Sequence, residues 1–149
     1  SKLAGYGPDI IARIKAVTSK PITTLINTHT HGDHTGSNEG FPASVNIVAH
    51  ENTKALMAKM DAFKGEKAKF LPKQTYKDML AIGSGKDRVE LHYFGKAHTG
   101  GDTVVVPNQQ VDVREGTARL VSLESPSAGR LSARQARWMS GSCLVKNRL

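Results

Sequence analysis

Residues 22–36 read ITTLINTHTHGDHTG, and no other stretch restricts the chain as much. Residues 22–27 form a short β-branched, apolar run, the composition of a buried strand. The run leads directly into three histidines and an aspartate held within six residues: His29, His31, Asp33 and His34. Half of the six histidines in the chain thus sit at one strand end. In an extended chain, residues i and i+2 point the same way, so His29 and His31 reach a common point. A turn at Gly32 and Asp33 swings Asp33 and His34 toward a second one. Gly32 and Gly36 keep the loop uncrowded and permit positive φ. Imidazoles and a carboxylate, with a position left open for water, are what a catalytic transition-metal site needs. Two metals about 3.5–4 Å apart would share an activated hydroxide. No cysteine lies nearby, which excludes a structural zinc knuckle.

The rest of the chain supplies a sheet for that strand. Gly7, Pro8 and Asp9 start a helix. Ile10, Ile11, Ile14 and Val17 share one of its faces, and Pro21 ends it. Residues 44–50 (SVNIVAH) alternate as a second strand. Residues 51–63 form a helix with Leu56, Met57 and Met60 toward the core, and 64–73 form a polar connection. Residues 87–94 alternate as another strand. Residues 95–102 (GKAHTGGD) make a glycine-bearing loop around His98, and 103–107 (TVVVP) are a further buried strand. This order implies an α/β layered domain. No internal repeat is present.

Composition sets limits. A length of 149 residues suits one domain with a modest core, and 38% hydrophobic with 23% charged residues is globular. Aromatics make up 5%, so the core rests on Ile, Leu, Val, Ala and Met. Cys143 is the single cysteine, which excludes an intramolecular disulfide. No run reaches the roughly 18–20 apolar residues of a membrane span, so no membrane partner is expected. The N-terminus lacks the apolar core of a signal peptide, and it begins without Met, so an upstream part is expected. The compartment and oligomeric state stay open. A net charge of +8 fits a lysine-rich solvated surface or an anionic partner such as nucleic acid. The basic residues form no stripe interleaved with aromatics, which disfavours nucleic acid.

The chain changes character at Pro107. Before it stand 12 Lys and 2 Arg; from it onward stand 1 Lys and 6 Arg. Residues 108–149 are an Arg/Ser-rich tail with weak periodicity, in which 118–124 (ARLVSLE) reads as a strand. The tail is either a partly disordered extension or the product of a shifted reading frame. The abrupt switch from Lys to Arg favours the second.

With these residues in view, NTHTHGDHTGSN resembles the HxHxDH signature of the metallo-β-lactamase-fold hydrolases. GKAHTGGDTVVV is similar to the family's next metal motif, a histidine in a Gly/Thr-rich loop before a buried strand. The resemblance spans roughly residues 8–107. It implies an α/β fold, the αββα sandwich, here incomplete: the N-terminal strands and the C-terminal half are missing. Residues 1–107 would be the partial domain. By the same resemblance, His29, His31 and His98 hold one zinc. Asp33 and His34 are two of three ligands of a second, and Asp33 orients the attacking water. The bridging aspartate and the last histidine have no recognisable counterpart, since Asp112 is the only aspartate of the tail. The implied activity is zinc-dependent hydrolysis of a small-molecule amide, ester or thioester. The alternative is a degenerate, non-catalytic zinc-binding fragment. His50 and His92 read as ordinary structural histidines, Asp102 as a loop-shaping residue touching Thr99, and Cys143 as a lone thiol.

Overall fold

The computed structural model describes residues 3–114, 117–122 and 144–147, from residue 109 onward by backbone. Helix α1 (Gly7–Val17) precedes β1 (Ile22–Ile26), and a short α2 (Gly32–Thr35) follows it. Next come β2 (Asn46–His50), α3 (Glu51–Met57), β3 (Gln74–Tyr76), β4 (Met79–Ile82), β5 (Val89–His92) and β6 (Val104–Pro107). The chain continues with β7 (Gln109–Arg114), β8 (Thr117–Ser122) and β9 (Leu144–Asn147). The first sheet has the order β3-β2-β1-β9, with β1, β2 and β3 parallel and β9 antiparallel to β1. The second is antiparallel, β4-β5-β6, and β7 and β8 form a separate hairpin.

Side-chain alternation assigns each face. In β1, Ile26 points to the interior between the sheets, where it meets Val48, Tyr76, Val89 and Leu91, with Leu80, Ile82, Tyr93 and Val105 around them. Leu25 points the other way, into a cluster with Phe41, Val45 and Ile47, covered by Ile10 and Ile11 of α1 and by Ile22. Strands β1 and β2 are thus buried on both faces, as the β-branched run of residues 22–27 anticipates for β1. Each fully buried aliphatic side chain contributes roughly 1.5–3 kcal/mol. The second sheet is apolar on one face only. Val89 and Leu91 are buried, while Glu90 between them accepts from Arg88 at 2.7 Å and lies 2.9 Å from His92.

Several expectations need correction. Val17 is 87% exposed, because the cluster takes in Ile10 and Ile11 from the first half of α1 and not its last turn. Helix α3 stops at Met57 rather than continuing to Phe63. Beyond it the backbone closes into tighter i+3 turns, Lys59 N–H to Leu56 and Met60 N–H to Met57. Its inward positions are Thr53 and Met57, not Leu56, which is exposed, or Met60, which is half-buried. The phase was misread because a threonine occupies the inward position. A 3-10 turn at Asp61–Phe63 takes the end of the expected helix, the polar connection contains another at Gly65–Phe70, and β3 follows it. Strand β4 was also missed. It is joined to β5 through Gly83 and Gly85, whose φ of 78° and 55° favour glycine. The expected strand at 118–124 corresponds to β8, and its last two residues lie outside the described residues. Cys143 also lies outside them.

Candidate metal centre

Strand β1 ends at Ile26, and the next residue is locked. The buried Asn27 amide donates to the His34 carbonyl at 3.1 Å and exchanges hydrogen bonds of 3.0 and 2.8 Å with the Asn38 amide. Asn38 also donates to the Phe70 carbonyl at 3.2 Å. This buried amide pair fixes where the loop leaves the sheet. His31 then caps α2 with an extended backbone, and Thr35 Oγ1 donates back to the His31 carbonyl at 3.1 Å. Neither Gly32 nor Gly36 adopts the positive φ anticipated for a turn, because the segment is a helical turn with Gly36 at φ −64°. Gly36 is required for space: a Cβ there would lie 2.7 Å from the Gly32 carbonyl oxygen and 2.8 Å from the Ala4 nitrogen.

His98 comes from the other sheet, in the loop between β5 and β6. Asp102, buried, accepts from the Thr99 N–H at 2.8 Å, from Thr99 Oγ1 at 3.0 Å and from the Ala97 N–H at 3.4 Å. It therefore folds the loop upon itself, as its position suggested. The loop is tied to the first sheet by the Thr103 N–H, which donates to the Thr28 carbonyl at 2.8 Å.

Three imidazoles meet as a result. His29, His31 and His98 each offer a ring nitrogen, all within 4.8 Å of one another. His98 Nε2 is 3.1 Å from His31 Nδ1, so one of these rings donates to the other. His29 lies edge-on to both, with ring centroids 5.0 Å from His31 and 5.2 Å from His98. Its Nδ1 is 3.1 Å from Thr28 Oγ1. Burial, then the neighbouring His34, His31 and His98, lowers the His29 pKa to about 4, against the opposite pull of Asp102. His29 is therefore neutral near pH 7, the state in which a ring nitrogen can accept a metal.

Asp33 and His34 are not among the three converging nitrogens. The exposed Asp33 carboxylate is 3.2 Å from His34 Nε2. The His34 ring is buried and tilted against His29 at 4.1 Å. Burial lowers its pKa, with Asp33 opposing. Adjacent residues of a helical turn do not face each other, so the contact is made by the two side chains bending together and not by the backbone of α2. Among the described residues, no group of three ligating side chains includes either of them.

The other histidines behave structurally. His50 caps α3, accepting from the Asn52 N–H at 3.2 Å, and its Nε2 donates to the Lys77 carbonyl at 2.8 Å. It stacks on Tyr93 at 3.8 Å. His92 pairs with Glu90. Sequence reasoning missed the supports of the His98 loop, namely Asn52, Thr53, Tyr93 and Thr103. Their signal is three-dimensional, since Asn52 and Thr53 lie 48 residues from the carbonyls they hold.

Two sheets sharing an apolar interior, a helix on the outer face of the first, and a histidine cluster where their ends meet define an α/β sandwich with a polar site at its rim. The metallo-beta-lactamase superfamily model matches residues 4–110, and the chain belongs to that superfamily. Among solved structures it is similar to a metallo-beta-lactamase from Pontibacter korlensis, with 25% identity and a TM-score of 0.58 over 69% of this chain. It spans 45% of that protein's length, so the fold is represented in part. A flavoprotein and a flavo di-iron protein variant from Thermotoga maritima share the fold at 22% identity and a TM-score of 0.52, covering 71% of this chain and 26% of each of theirs. No curated protein matches the chain.

Proposed function

We propose that the chain carries the metal-binding half of a metal-dependent hydrolase, with one zinc held by His29, His31 and His98. The observation that carries this reading is the convergence of three imidazole nitrogens within 4.8 Å at the sandwich rim. Zinc–nitrogen bonds of about 2.0–2.1 Å hold tetrahedral ligands about 3.4 Å apart. The His31 and His98 nitrogens already stand at 3.1 Å, and the His29 nitrogen lies within 4.8 Å of both. Imidazole suits zinc and also iron, copper or nickel, and an all-nitrogen set without thiolate is that of a catalytic site rather than a structural one. Bound there, zinc would supply Lewis acidity and a water acidic enough to be a nucleophile near neutral pH.

The chain's own residues do the rest. Asp33, exposed beside the cluster, is assigned to orient the attacking water and take its proton. His34 and Asp33 would also form part of a second metal position, but the described residues supply no third ligand, so the reading is a mononuclear centre. The substrate class is a small molecule with an amide, ester or thioester carbonyl. The partial span of the fold and the pairing of Asp33 with His34 favour a second reading, a zinc-binding module without turnover. Hydrolysis of a chromogenic cephalosporin and of an acyl thioester, with and without chelator, separates the two. Turnover that chelator abolishes and zinc restores supports the hydrolase. Stoichiometric zinc binding with no turnover on either substrate supports the module.

A further inference from the structure

We infer that the first turn of α3 positions the third imidazole, acting through the buried Thr53 and its neighbour Asn52. This rests on the reading of His29, His31 and His98 as one metal site. His98 is exposed and sits on a loop from the opposite sheet, so its own packing does not fix it. Two side chains of α3 hold that loop. Thr53, fully buried, donates from Oγ1 to the Gly101 carbonyl at 2.6 Å. Asn52 donates from Nδ2 to the Gly100 carbonyl at 2.8 Å, and the Tyr93 hydroxyl reaches the same carbonyl at 3.2 Å.

The contact is made for this pair of residues. A Cβ on Gly101 would lie 2.4 Å from Thr53 Oγ1 and 2.5 Å from the Thr53 nitrogen, so only glycine permits the approach. A threonine at the inward position of an otherwise apolar helix face costs burial of a hydroxyl unless it is bonded. Here its partner is the backbone three residues beyond His98. The helix start is itself fixed, because its cap His50 is wedged against Tyr93, the residue that shares the Gly100 carbonyl. The line runs from a rigid helix cap, through Thr53, to the loop that carries His98. Thr53 is a positioning residue and touches no metal.

The test uses the full chain with zinc, and with cobalt(II) as a spectroscopic stand-in. Thr53→Val keeps the branched shape and removes the hydroxyl, and Thr53→Ser keeps the hydroxyl. Zinc affinity is measured by competition with a chromophoric chelator, and the cobalt ligand-field bands report how many imidazoles bind in compact geometry. Outer partners of metal ligands alter affinity by about 10–100-fold. Thr53 holds the loop and not the ligand, so Thr53→Val should weaken zinc by about tenfold, the low end of that range, and flatten the cobalt bands toward the spectrum of His98→Ala, while Thr53→Ser keeps both near wild type. Asn52→Ala, at an exposed position, should act in the same direction and covers the case in which Thr53→Val does not fold. Wild-type affinity and spectrum in a folded Thr53→Val chain, or in Asn52→Ala should Thr53→Val not fold, would overturn the inference and leave the metal site standing. Absence of zinc binding by the wild-type chain would overturn both.

Discussion

The surroundings of the His29 ring hold it in the neutral form. Burial first, then three neighbouring imidazoles, hold its pKa at about 4 instead of 6.5. The unfolded chain takes up a proton at the ordinary value and the folded chain only near pH 4. The stability linked to His29 is therefore complete above pH 6.5 and is lost as pH falls through that window toward 4. A proton NMR titration without added metal should show one histidine with a midpoint near 4, and that resonance should vanish in His29→Ala. A wild-type midpoint above 6 for that resonance would contradict the packing described here. Asp33 makes the opposite case. Its side chain is 64% exposed and its partner is one histidine, and a carboxylate this open to solvent gains about 0–1 kcal/mol from such a contact. Asp33→Asn should shift urea-measured stability by less than about 1 kcal/mol. On the hydrolase reading it should lower turnover about 10²–10⁴-fold, the usual range for a proton-transfer group. A large stability loss with unchanged turnover would remove Asp33 from its assigned role.

At the scale of elements, the join between the sheets matters most to the site, and Tyr76 forms part of it. Its ring is in the shared interior, and its hydroxyl donates to Thr103 Oγ1 at 2.7 Å. Thr103 in turn donates from its backbone to Thr28, next to His29. Tyr76→Phe removes one buried donor and should cost about 1–3 kcal/mol in urea denaturation. Burial raises the Tyr76 pKa from 10.0 to about 12. The folded chain thus keeps a proton that the unfolded chain sheds first, so stability is complete below pH 10 and falls as pH rises toward 12. That alkaline loss should shrink in Tyr76→Phe. Strands such as β1 and β5 were legible because β-branched runs and clean alternation depend on local sequence. Helix α3 was misread because Thr53 faces inward for a partner 48 residues away, and no periodicity encodes that. Strand β3, at three residues, is too short to leave a pattern. The histidine run was legible because its spacing is local. The helical turn that carries Asp33 and His34 was not, because it rests on the amide pair of Asn27 and Asn38 and on the close approach at Gly36.

For the molecule as a whole, the cluster joins its two sheets. His29 and His31 follow β1 of the first sheet, and His98 precedes β6 of the second. A metal bound by all three would link sheets otherwise joined by the apolar interior and by bonds such as Tyr76 to Thr103. Binding that favours the folded chain stabilises it by about 2.7 kcal/mol when free zinc is 100 times the dissociation constant. Since the described residues offer one group of three ligands, calorimetric titration should give one zinc per chain. Urea denaturation with that excess of zinc should show the added stability in wild type. At the same zinc concentration, His98→Ala should lose most of the gain, because His29 and His31 alone belong to one sheet. Two tightly bound zinc ions per chain would mean that Asp33 and His34 find a third ligand outside the described residues. An undiminished gain in His98→Ala would mean that the metal does not bridge the sheets at all.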